Sequence, residues 1–165
     1  MSTIVAQAVI LALEFLGKVT VQVTEPVNSN EFFQTREGIL VEDGLNDLFV
    51  GDTVHSVGIV ELSKYGIKKN SLDRNIRREL PENHVFEADE FCQIITTQIN
   101  KQWGGKQGDL LNNGYANIFY VRSKDKKKVF TVGVYWRSDD LEWRVYFWEL
   151  DDDQWPAESC VFSRN

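Results

Sequence analysis

Apolar positions along this chain change their period several times, and each change marks an expected element. Over residues 4–16 almost every position is apolar. That pattern predicts a deeply buried helix, capped by Ser2 or Thr3 and stopped at Gly17. Val19, Val21 and Val23 then alternate with Thr20 and Gln22, the period of a half-buried strand, and Pro26 ends it. Residues 30–33 suit one helical turn, 39–41 a short strand after Gly38, and 54–62 a further strand. Asp43-Gly44 and Gly51-Asp52 are turn signals in this stretch. Leu72, Ile76 and Leu80 recur every four residues behind Ser71, so a short helix is expected there, terminated by Pro81. The clearest helix spans 88–102. Ala88, Phe91, Cys92, Ile95 and Ile99 form one apolar stripe with Ile94 at its margin. Glu87, Asp89 and Glu90 suit the positive end of its dipole and Lys101 the negative end, and Gly104-Gly105 stops it.

Beyond the turn signal Asn113-Gly114 the period becomes that of strands. Segments 116–121, 129–136, 141–150 and 159–163 are divided by a lysine-rich tip, by Ser138-Asp139-Asp140 and by Asp151-Asp152-Asp153. Three or four consecutive strands with short connections make an antiparallel meander. The expected fold class is therefore α+β: an antiparallel sheet with a C-terminal β-meander and helices packed on one face. No repeat or low-complexity linker divides the chain, so a single domain over 1–165 is expected.

Composition adds limits. A length of 165 residues allows a sizeable core. With 42% hydrophobic and 26% charged residues, disorder is disfavoured. Twelve of the 20 aromatic residues fall between Tyr115 and Phe162, which concentrates attention on the C-terminal strands. The net charge of −7 repels a phosphate backbone at long range, so nucleic-acid binding would need a local basic patch. Cys92 and Cys160 lie far apart and outside any metal-ligand spacing, which predicts two free, partly buried thiols. The apolar run at 4–16 is too short to span a bilayer and has no basic residue before it, which reads as a cytoplasmic protein with no membrane partner.

Four segments carry a resemblance. Phe32-Phe33-Gln34-Thr35-Arg36-Glu37-Gly38, Leu80-Pro81-Glu82-Asn83-His84-Val85-Phe86, Asn113-Gly114-Tyr115-Ala116-Asn117-Ile118-Phe119-Tyr120 and Val161-Phe162-Ser163 are similar to stretches of small uncharacterised bacterial proteins associated with prophages and mobile genetic elements. The resemblance implies a bacterial or phage origin. That family has no assigned activity, cofactor or catalytic residue, so it supplies no site.

Alternation divides the C-terminal strands into two faces. Leu141, Trp143, Val145 and Phe147, with Phe130, Val132, Val134 and Trp136, make an apolar set suited to a core under the helices. The opposite set gathers Tyr120, Arg122, Tyr135, Arg144, Tyr146 and Trp148. Tyr, Trp and Arg offer contact area together with a polar handle, and they are the types enriched at binding hot spots. Cross-strand pairing that stabilises the sheet, or cover by N-terminal segments, accounts for the same residues without function.

Other constellations are weaker. Lys68, Lys69, Arg74, Arg77 and Arg78 form a basic cluster that suits phosphate contacts or simply a solvated helix face. His84, Glu87 and Asp89 match no ligand motif, and the carboxylates are explained by the helix start. Asp151-Asp152-Asp153 lacks the glycine and terminal glutamate of a calcium loop. There is no nucleophile elbow and no phosphate-cradling glycine loop, and Cys92 sits on an apolar stripe, a poor setting for a reactive thiol. The residues thus point to a non-catalytic protein-interaction module without cofactor or metal. It would bind a protein partner, a second copy included, through the aromatic face. Beside it stand a small-molecule-binding domain or enzyme with a pocket between sheet and helices, rimmed by residues 104–115, and nucleic-acid binding through 68–78.

Overall fold

A mostly antiparallel sheet organises the chain, and the residues that build it pack on both of its faces. The computed structural model describes residues 11–24, 33–51 and 58–165. Expectations for 1–10, 25–32 and 52–57, including most of the N-terminal helix, lie outside them. The strands are β1 (Leu13–Val23), β2 (Ile39–Val41), β3 (Gly58–Ile67), β4 (Ser71–Leu72), β5 (Phe86–Glu87), β6 (Asn117–Arg122), β7 (Val129–Arg137), β8 (Glu142–Trp148), β9 (Gln154–Trp155) and β10 (Cys160–Arg164). The helices are α1 (Leu45–Phe49), α2 (Asp73–Glu79) and α3 (Ala88–Lys101). Eight strands form the main sheet in the order β1-β3-β10-β6-β7-β8-β2, with β5 beside β6; β4 and β9 form a separate two-stranded sheet. No described helix is long and apolar enough to cross a membrane.

The last four segments do not run in simple order. β6, β7 and β8 are paired antiparallel as consecutive neighbours. β10 leaves that sequence and inserts between β3 and β6, antiparallel to the first and parallel to the second. Leu141 also departs from expectation. It sits in the β7–β8 turn at φ 52 and is 70% exposed, so it is a turn residue and not part of the core.

Residues 13–16 form the start of a strand, where a helix was expected. Leu13 pairs with Ile67 and Phe15 with Tyr65 in an antiparallel ladder to β3. A short apolar run is ambiguous between helix and strand by periodicity alone, and a partner strand decides it. Gly17 does not stop a helix. It sits at φ 136 beside a register shift between Phe15 and Gly17, a bulge that places one extra residue in β1. The extra residue changes which side odd-numbered positions face. Leu13 belongs to the apolar cluster on one face, whereas Val19, Val21 and Val23 belong to the cluster on the other.

The larger cluster joins α3 and α1 to the sheet. Phe91, Cys92, Ile95 and Ile99 of α3 and Phe49 of α1 pack with Phe119, Val132, Val145 and Trp143. The Trp143 indole N–H donates to the Gln102 carbonyl at 3.0 Å, so its burial leaves no orphaned donor. The expectation that helices cover one face fails at α2. Ile76 and Leu80 pack against Ile118, Tyr120, Val161 and Trp155, on the opposite face. Ser71 does not cap this helix; its hydroxyl donates to the Lys69 carbonyl.

Phe91 is fully buried, with ring centroids 5.4 Å from Phe119, 6.2 Å from Phe33 and 6.4 Å from Phe49. Phe91→Ala should lower unfolding free energy by about 3–5 kcal/mol in urea titrations, through lost transfer energy and the cavity left behind.

Candidate functional site

Because β6, β7 and β8 alternate, the second face receives Tyr120, Arg122, Thr131, Gly133, Tyr135, Glu142, Arg144, Tyr146 and Trp148. What sequence reasoning missed is the layer laid over part of that face. Tyr120 is fully buried and so does not belong to an exposed surface. Its hydroxyl donates to Asp73 Oδ1 at 2.9 Å, and the Trp155 indole N–H donates to the same oxygen at 2.8 Å. Asp73 Oδ2 accepts the backbone N–H of Asp151 at 2.8 Å. A carboxylate only 1% exposed is tolerable here because three donors solvate it. Burial, first, and then the Asp73 charge push the Tyr120 phenol far above its usual range.

Arg122 is separated from the others in another way. Its Nε lies 3.2 Å from Glu87 Oε1 across the β5–β6 pair. The remaining four candidates do come together. Tyr135 and Tyr146 are 5.6 Å apart between ring centroids, Tyr146 and Trp148 6.2 Å, and Trp148 stands edge-on to Trp155 at 5.0 Å. Arg144 lies opposite Tyr135 in the ladder and pairs with both Glu142 and Asp140. Tyr135, Arg144, Tyr146 and Trp148 are each half-buried. Desolvation, with the neighbouring Tyr146 next in weight, pushes the Tyr135 phenol up to about 12, so it stays a hydrogen-bond donor.

Gly133 makes the row possible. A Cβ there would come within 2.9 Å of the Trp148 ring and 3.4 Å of Trp155. A glycine inside an otherwise branched and aromatic strand is a sequence signal of close approach, and it marks where the two tryptophans lie across β7.

The other candidate clusters disperse. Arg77 turns inward, its Nε donating to His84 Nε2 at 3.0 Å and its guanidinium lying 5.4 Å from the Tyr120 ring centre. Only Arg74 and Arg78 of the three arginines remain exposed, so α2 does not present them as one surface. His84 is buried against Pro81 and Tyr120, Glu87 pairs with Arg122, and Asp89 lies beside Gly51. Among the described residues no group of three His, Cys, Asp or Glu side chains is placed to hold a metal ion. Both thiols are free and buried. Burial drives Cys92 well above the usual thiol range and Cys160 up to about 11, which makes both poor nucleophiles.

The loop 104–115 is tied down. Gln102 donates to the Lys106 and Leu110 carbonyls and accepts the Leu110 N–H, while Asn117 bonds Leu111 in both directions. The recess beside it, about 370 Å³ and lined by Glu37, Gly38, Trp103, Gly104 and Leu141, lies at an end of the sheet. A larger one of about 520 Å³ adjoins the start of α3, where Lys124 Nζ is bonded to the Val50 carbonyl.

No protein-family model matches this chain, and no curated protein or solved structure matches it either. The prophage and mobile-element resemblance therefore gains nothing from these comparisons.

Asp73→Ala should remove the acceptor for three donors at once. The expected loss is roughly 3–5 kcal/mol in urea titrations, from buried donors left unpaired. Asp73→Asn, which keeps one carbonyl oxygen, should lose distinctly less.

Proposed function

We propose that this chain is a non-catalytic protein-interaction module that binds its partner through the strip formed by Tyr135, Arg144, Tyr146 and Trp148. The observation that carries the reading is the row of half-exposed rings along β7 and β8, continuous with Trp155, on the face where Tyr120 lies covered. Fixed rings lose little side-chain entropy on binding, because their neighbours already hold them. Arg144 brings donors beyond those spent on Glu142 and Asp140. Tyrosine, tryptophan and arginine grouped in this way have the composition of an interface centre. The reading includes a second copy of the chain as partner, since a flat face can meet itself across a two-fold axis.

A photo-crosslinking phenylalanine analogue in place of Tyr146 tests this. Irradiation of cells making that variant should yield a defined adduct, and the same analogue at exposed Lys106 should yield none. An adduct of twice the chain mass identifies a second copy, and any other discrete mass identifies a different protein. Absence of any adduct at position 146 overturns the proposal.

A further inference from the structure

We propose that His84 and Arg77 form an acid-labile clamp that holds α2 over Tyr120 and opens when the imidazole takes up a proton. Three contacts define it. Arg77 Nε donates to His84 Nε2 at 3.0 Å, and His84 Nδ1 lies 2.7 Å from the Pro81 carbonyl. The imidazole stands edge-on to the Tyr120 ring at 5.6 Å, while the Arg77 guanidinium lies 5.4 Å from that ring's centre. Only one tautomer satisfies this set. The proton must sit on Nδ1, facing the carbonyl, and Nε2 must be bare to accept from arginine. A second proton on Nε2 would set donor against donor and cation against cation at the same 3.0 Å separation.

The surroundings offer the imidazolium no relief. On α2, the Asp73 carboxylate is occupied by Tyr120, Trp155 and Asp151, and Glu79 is bound to the Ala12 and Leu13 N–H groups. Glu82, in the same turn as His84, is exposed. From β6 the imidazole meets Tyr120, whose phenol stays neutral. The Asp151 carboxylate, in the turn after β8, accepts the Arg74 N–H.

Burial, foremost, and the Arg77 charge hold His84 below its ordinary range, against the opposing effect of the Pro81 carbonyl. An opened segment therefore binds the proton more readily than the closed one. The closed form keeps its full stability above the ordinary histidine pKa, near 6.5. It loses that stability as pH falls through the depressed folded value. The consequence is local, because the clamp bears on α2 and the 80–85 turn, while α3 packs on the opposite face.

Hydrogen exchange at pH 7.5 and 5.5, corrected for the intrinsic rate, tests the clamp without reference to any partner. In the wild type, exchange across residues 73–86 should accelerate severalfold at the lower pH, with α3 unchanged. His84→Gln cannot be protonated and should lack the acceleration, whereas Arg77→Met, which keeps an apolar stem over Tyr120 without the charge but leaves the imidazole buried, should show a smaller one. If His84→Gln fails to fold, Arg77→Met alone carries the comparison. No acceleration in the wild type, undiminished acceleration in either variant, or equal acceleration in α3 would each overturn the proposal.

Discussion

The Asp73 carboxylate joins three parts of the chain that are far apart in sequence. It sits at the start of α2 and takes hydrogen bonds from β6, from β9 and from the turn after β8. Without that junction Tyr120 and Trp155 would have no acceptors for their buried donors, and the cover of the second face would lose the contact that ties it to three segments at once. The arrangement differs from the first face, where α1 and α3 adhere mainly through apolar contact. There the hydrophobic term dominates, since many aromatic rings interlock. On the second face a smaller apolar cluster is supplemented by a polar network whose members depend on one another.

That difference explains what the sequence shows and what it hides. Period-two alternation along β6, β7 and β8 is a local property of the backbone, so the assignment of Phe119, Val132 and Trp143 to one side and Tyr120, Tyr135 and Tyr146 to the other can be read directly. The stripe Phe91, Cys92, Ile95, Ile99 is equally local to its helix. Whether a side is covered is a tertiary fact. Nothing in the periodicity of 71–80 says against which face Ile76 packs, so α2 could not be assigned to its sheet side. Nor does an isolated aspartate in a basic segment announce that it is the buried acceptor for a tyrosine and a tryptophan 47 and 82 residues away.

The same limit applies at the start of the chain. An apolar run with Gly17 behind it reads as a helix and its stop, because glycine serves both helix ends and bulges. The ladder to β3 settles the matter through register, which involves residues some fifty positions later in sequence. The candidate strip was legible in part for a related reason. Four of its six expected members share a short stretch of two neighbouring strands. Tyr120 and Arg122 lie one strand further in, where cover and ion pairing intervene.

The bulge at Gly17 has a consequence for how this chain behaves in company. Among the described residues β1 is the terminal strand in the order of the main sheet, and an unbroken terminal strand is a template for any extended polypeptide. One surplus residue breaks the even spacing of its backbone groups, and Lys18, exposed immediately after it, adds a charge that a docking strand would have to desolvate. The apolar side chains of Phe15 and Leu16 are exposed on that same strand, so the irregular backbone stands where unchecked strand-to-strand aggregation would otherwise begin.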